Sequence, residues 1–267
     1  MKKKLSVSIL TLVLILVMVT PALAISNGQP DDEGRYPYVG IVLWPIGGGW
    51  WSVCSGAAIS PDILLTAAHC FDGWVDEPVY VNFVHDVGWG GQIFDEAVVG
   101  TPHSHPDFCI GCAPGLPGFD THDVAVVVFD EPVTLDAYAN LPTEGLVDEL
   151  PMNTDVTLVG YGDQWDTGGG PRWPSDGFAT RYFAYSQLIA SKHKHSDEYI
   201  KLSANPAQGK GGDCFGDSGG PNLLGDTDTI ISITSYGANG NCAGLGYSNR
   251  IDLAYALDFI NSFLPPQ

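Results

Sequence analysis

Three short segments hold the residue types that can attack a carbonyl carbon. Gly216-Asp217-Ser218-Gly219-Gly220-Pro221 sets a serine among glycines. Glycine lets the chain bend closely enough for amide N–H groups to converge on a substrate oxygen. A serine hydroxyl needs a base, and Leu64-Leu65-Thr66-Ala67-Ala68-His69-Cys70 puts His69 at the end of an apolar run, beside a cysteine. The imidazole needs a partner that fixes its tautomer, and a buried carboxylate does this best. Asp123 enters the apolar run Val124–Phe129, where a carboxylate without a partner is costly. The chain order is His69…Asp123…Ser218. The serine segment also satisfies Gly-x-Ser-x-Gly, but the fold that uses this elbow needs its histidine after the serine. The last histidine is His195, so order alone excludes that reading.

The elements that must position these residues read as strands. Short apolar runs at Tyr38–Trp44, Ala57–Ile59, Val79–Val84, Val124–Phe129, Val156–Tyr161, Thr229–Tyr236 and Tyr247–Ile251 are bounded by Gly, Pro, Asp and Asn. Such runs without alternating helices predict a β barrel or sandwich. Residues 130–153, rich in Pro, Asp and Glu, are suited to join two halves. One helix is predicted, at the C-terminus, from Leu253, Ala254, Leu257, Ile260, Phe263 and Leu264 at three- and four-residue steps. Asp252 is expected to cap it, and the last sheet is its expected docking surface.

Composition narrows the class. The 267 residues include 33 Gly and 19 Pro without a period, which suits a turn-rich β protein and not collagen. Against 11 Lys+Arg stand 31 Asp+Glu, a formal charge of −20, which opposes binding to phosphate backbones or anionic lipid. Lys2-Lys3-Lys4, a short apolar run and Ala22-Leu23-Ala24 form a secretory signal over residues 1–24, too short and too well bounded for a retained anchor. Its removal takes three lysines and no acid, so the charge deepens from −20 to −23. The six cysteines all follow it, and an even count in an exported chain reads as disulfides.

Ile25-Ser26-Asn27-Gly28, Thr66–Cys70, Thr121–Phe129, Gly216–Pro221 and Ser235-Tyr236-Gly237 together resemble the trypsin/chymotrypsin-like serine proteases, in a secreted bacterial form. The resemblance covers essentially residues 25–267. It implies an all-β fold of two six-stranded antiparallel β-barrels, about 25–135 and about 150–250, with a C-terminal α-helix at about 251–264 and the site in the cleft between the barrels. It implies His69, Asp123 and Ser218 as a catalytic triad for peptide hydrolysis through an acyl-enzyme, and the N–H groups of Gly216 and Ser218 as the oxyanion hole. It also implies that a free Ile25 ammonium pairs with Asp217 to order the site. Signal cleavage after Ala24 produces Ile25 directly, unless the cut falls elsewhere and a second protease trims to it.

The resemblance further pairs Cys54 with Cys70 and Cys214 with Cys242. That leaves Cys109 and Cys112 for a local bridge or, with His103 and His105, a zinc set; the local bridge is preferred and no metal or other cofactor is assigned. Asp86, Asp95 and Glu96 have no defensible calcium spacing. His193 and His195 read as a solvated loop. The resemblance implies a substrate pocket formed by Gly212, Asp213, Ser235, Tyr236, Gly237 and Leu245. Asp213 slightly favours cleavage after basic residues, whereas Gly212 and Leu245 suit apolar ones. A protein or peptide substrate and a monomeric, extracellular enzyme are expected. The alternative is a catalytically silent peptide-binding protein on the same fold.

Overall fold

The structure, a computed structural model, describes residues 25–47, 50–73, 77–88, 93–113, 118–163, 179–194, 196–237 and 242–265. The signal segment and His195 lie outside the described residues. After a two-residue strand β1 (Gln29–Pro30), the first six strands are β2 (Val39–Gly47), β3 (Trp50–Ala58), β4 (Ile63–Thr66), β5 (Val79–Asn82), β6 (Val98–Ser104) and β7 (Ala125–Phe129). They close into a barrel in the order β2-β3-β4-β7-β6-β5, every pairing antiparallel. The run Ala125-Val-Val-Val-Phe suits β7 to its place in the barrel wall, paired with β4 and β6. β-Branched side chains fit a pleated surface, and β4 and β7 are buried on both faces.

The second set is β8 (Asp155–Gly160), β9 (Tyr182–Ala190), β10 (Tyr199–Ala204), β11 (Pro221–Leu224), β12 (Ile230–Gly237) and β13 (Gly244–Arg250). The order β9-β10-β13-β12-β11-β8 closes because β8 also pairs with β9, and β1 adds to the far side of β9. The fold is two closed six-stranded antiparallel barrels with few helices. Residues 130–153 run between β7 and β8 and carry a single helical turn, Leu146–Glu149.

The C-terminal helix, Ala254–Asn261, differs from expectation in two respects. Asp252 does not cap it; Leu253 precedes the helix without a side-chain cap. The Asp252 carboxylate is instead taken by the buried Arg250, at 2.9 and 2.8 Å, and by the Val147 N–H at 2.8 Å. Its aromatic stripe also reaches beyond the last sheet, to which Tyr255 Oη is tied by a 3.0 Å bond to Asn249 of β13. Tyr255 and Phe259 pack on His105, Tyr255 also on His122, and Phe263 on His103, all residues from the first half of the chain. The i, i+4, i+8 spacing of these three rings puts them on one face, and that face straps the first barrel.

A buried ion pair, Asp31–Arg181, also ties the two barrels together. Asp31 accepts from Arg181 Nε at 2.7 Å and from the N–H groups of Arg35 and Tyr36. Arg181 Nη1 reaches the carbonyls of Val39 and Phe83 and the hydroxyl of Tyr161. Removing one partner of such a pair strands the other charge in the interior. Asp31→Ala is therefore expected to lower the unfolding free energy by about 3–5 kcal/mol in urea denaturation at pH 7. Asp226→Ala, which breaks the exposed Arg35–Asp226 pair, should leave it within error of wild type.

Candidate active site

His69 lies in a 3-10 turn, Ala68–Phe71, directly after β4, and Asp123 lies directly before β7. Thr66 on β4 pairs with Ala125 on β7, so the two ladder ends bring the histidine and the carboxylate together. Asp123 is fully buried and accepts three hydrogen bonds. Its Oδ1 takes the His69 backbone N–H at 2.9 Å, and its Oδ2 takes His69 Nδ1 at 2.8 Å and the Ser235 hydroxyl. Burial alone would push the Asp123 carboxyl up; the adjacent imidazolium charge and these hydrogen bonds outweigh it and hold it below the usual carboxylate range. The same contest runs in His69, where burial disfavours the imidazolium but Asp123 raises its proton affinity above the ordinary histidine value. With Nδ1 committed to Asp123, Nε2 is the ring nitrogen left to exchange a proton.

Ser218 comes from the second barrel, on the loop before β11, and is half-buried. Its carbonyl accepts the Ser55 N–H at 2.8 Å, and Ser55 Oγ donates to the Gly216 carbonyl at 2.9 Å. Ser55 in turn accepts from Thr66 Oγ1, one strand from His69, and from the Tyr161 N–H. The neighbouring Cys54 is bonded to Cys70, beside His69. One residue of β3 thus fastens the serine loop to the histidine strand. Gly219 follows at φ +77°, and a Cβ there would lie 2.1 Å from Thr66 Oγ1, so the close approach needs glycine.

Behind the serine, Asp217 is buried and accepts the Gly162 and Cys214 N–H groups at 2.8 and 2.9 Å. Among the described residues no cation pairs with it, and burial pushes its carboxyl up to about 8. Ile25 is buried in the core of the second barrel, with Leu158, Tyr182 and Leu188; no hydrogen bond joins it to Asp217. Ser26 bridges Gly212, whose N–H donates to the Ser26 carbonyl at 3.0 Å.

The pocket residues divide. Gly212 is packed against Ala204 and Ser26. Asp213 is buried against Gly246, where a Cβ would meet its Oδ1 at 2.2 Å. Leu245 stands one residue earlier on β13, hence on the other face, paired across to Ser203. Gly246, not Leu245, is therefore the residue whose size governs the space around the acid. Past Ile233, where the β11 pairing ends, Ser235–Gly237 keeps β13 on one side, and among the described residues its other edge has no ladder partner. Tyr236 on this edge is exposed and rests on Phe119.

Three site residues carried no sequence signal strong enough to single them out: Ser55, Gly246 and Asp120. Asp120 offers a carboxylate oxygen within 4.8 Å of ligand atoms of His69 and Asp123. Ser55 was the most accessible of the three, since it follows a cysteine that the resemblance places beside His69. The zinc set does not assemble: Cys109 and Cys112 are bonded to each other, and His103 and His105 face rings of the C-terminal helix. The remaining bridge joins Cys214 to Cys242, as the resemblance implied.

Burial pushes Asp213 up to about 6, from an ordinary 3.8. The folded state therefore resists its ionisation, and stability falls as pH rises from about 4 to about 6 before levelling off. Asp213→Asn removes this slope. Comparing urea unfolding at pH 4 and pH 7.5, the variant should gain about 2.4 kcal/mol on wild type between the two conditions. A difference that does not change with pH would show that Asp213 is solvated.

Comparison with known proteins agrees with this geometry. A family model described as Trypsin matches residues 25–260. Brachyurin of Leptuca pugilator is 30% identical over 214 residues, 78% of this chain and 86% of that protein. Serine protease 1 of Drosophila melanogaster is 26% identical over 227 residues, 82% of this chain and 77% of that protein. Among solved structures, HL collagenase aligns with a TM-score of 0.69 at 21% identity, covering 90% of this chain and 99% of that one. Human heparin binding protein aligns at 0.64 and 16% identity, covering 90% and 98%, and at that identity speaks for the fold alone. Over almost its whole length after residue 24, the chain belongs to the trypsin family of serine proteases.

Proposed function

We propose that the protein is a secreted serine endopeptidase in which Ser218 is the nucleophile, His69 the general base and Asp123 the group that orients it. The observation that carries this reading is the 2.8 Å bond from His69 Nδ1 to the buried Asp123, in a site whose serine loop hangs from Ser55. His69 takes the Ser218 proton as the oxygen attacks the peptide carbonyl. Asp123 steadies the imidazolium and stays ionised, in keeping with its lowered proton affinity. The N–H groups of Gly216 and Ser218 receive the oxyanion, and Gly216, at φ +96°, supports the turn that aims them. His69 then protonates the leaving amine, and water, deprotonated by His69, releases the acyl group.

Activation is read from the unpaired Asp217. A new Ile25 ammonium reaching it would replace a costly lone carboxyl with an ion pair, and the loop bearing Gly216 and Ser218 would be held in place. If the export cut falls after Ala24, export and activation are one event. Loss of a buried pair of this kind costs about 3–5 kcal/mol, so Asp217→Asn should be folded but inactive.

Asp213 supports cleavage after Lys or Arg. A buried acid with no cation gains most from a guanidinium or ammonium delivered by substrate, and Gly246 leaves room for it. The open edge at Ser235–Gly237 would take the substrate backbone as an added strand.

Two measurements test the proposal. Intact mass before and after a fluorophosphonate should give the mass of residues 25–267 with three disulfides, plus one adduct that Ser218→Ala lacks. A starting mass without adduct would remove the peptidase reading. A cleavage-site profile should then show Lys and Arg before the cut bond, a preference that Asp213→Thr abolishes. Apolar residues there, unchanged in the variant, would reassign the pocket.

A further inference from the structure

We propose that Cys109–Cys112 is a thiol-exchange site: a dithiol reductant opens it and thereby weakens the active site through Asp120. The inference rests on the peptidase reading only for its effect on rate. Cys109, Ile110, Gly111 and Cys112 are all exposed, whereas the cysteines of the other two bridges are buried. Exchange requires a thiolate to reach a sulfur, so exposure selects this bridge. A ring of only two intervening residues also constrains the unfolded chain little, so the fold loses little stability when it opens.

The bridge is wired to the site by backbone. Cys109 and Thr121 exchange both N–H···O bonds, at 3.2 and 3.0 Å. Inside the ring, the Gly111 N–H donates to Asp120 Oδ1 at 2.8 Å. Asp120 is half-buried, and its carboxylate lies in the same cluster as His69 and Asp123. The acids facing His69 are Asp123 and, farther out, Asp120, with Asp72 beyond it. Asp120 adds to the field that favours the imidazolium, the species formed as Ser218 loses its proton.

In the exchange, one thiolate of the dithiol attacks a bridge sulfur and forms a mixed disulfide. Its second thiolate displaces the enzyme sulfur and leaves as a cyclic disulfide. Two electrons and two protons pass to Cys109 and Cys112, which become thiols. Without the bridge the Gly111 N–H no longer fixes Asp120, whose carboxylate turns to water. Asp120 is thus a positioning residue for charge at His69.

The test is a dithiothreitol titration of the active protein, with iodoacetamide trapping, peptide mapping and kcat/KM measured across pH. Cys109 and Cys112 should be alkylated before the other four cysteines. At that stage kcat/KM near neutral pH should fall about two- to five-fold, with its acid limb moved to lower pH. Reoxidation should restore both, and Cys109→Ser/Cys112→Ser should reproduce the reduced state. Asp120→Asn should show the low value already and no response to reduction. Buried bridges opening first would overturn the exchange site, and an unmoved pH profile after alkylation of Cys109 and Cys112 alone would overturn the link to His69. Oxidised protein with neither turnover nor a Ser218 adduct would instead remove the peptidase reading, and the alkylation order would still decide the exchange site.

Discussion

Ser55 is the joint on which the site depends. Its N–H holds the Ser218 carbonyl, its Oγ donates to Gly216 and accepts from Tyr161, and its carbonyl accepts from Thr66. Each barrel folds around its own strand ladder, and nothing in either ladder sets the distance between His69 and Ser218. That distance depends on bonds crossing the cleft, and a fully buried hydroxyl with all its partners made is well suited to fix it. The Cys54–Cys70 bridge anchors the same stretch of β3 to the histidine turn. Positioning within a fraction of an ångström is what makes a hydroxyl and an imidazole a reactive pair, so this joint matters to chemistry more than to stability.

The buried carboxylates show how one residue type is put to different uses. Asp123 has three donors and a neighbouring imidazole, so it stays ionised although fully buried. Asp217 has two amide donors and no cation, and Asp213 has less still; both are pushed toward the protonated form. Amide dipoles soften the loss of hydration but do not replace a counter-charge. On the proposed reading, these two acids, without a cation among the described residues, would take theirs from elsewhere, one from a new chain terminus and one from substrate.

Much of this was legible in the sequence, for identifiable reasons. His69, Asp123 and Ser218 stand in motifs whose composition already constrains the backbone. The strand pattern was readable because short Val- and Ile-rich runs bounded by glycine and proline fit little else. What stayed hidden depended on contacts across the chain. Gly246 matters only because Asp213 lies over it, and a glycine one step from a leucine has no mark of its own. Asp252 looked like a helix cap because capping is local, but Arg250, two residues away and fully buried, claimed it first. The docking of the C-terminal helix was legible only in part: it touches the last sheet through Tyr255, but its stripe could not state that the first barrel shares it.

The charge of −20 and the few buried acids act at different ranges. Exposed carboxylates are screened beyond about 8 Å at physiological salt, so they bear mainly on how often a cationic segment meets the surface. Asp213 is shielded from mobile ions by its burial against Gly246, so its contribution survives high salt. If Asp213 selects substrate as proposed, encounter should weaken as salt rises while that discrimination is retained. On the proposed reading, the acidic exterior and the buried acid would be separate devices, one for capture and one for choice.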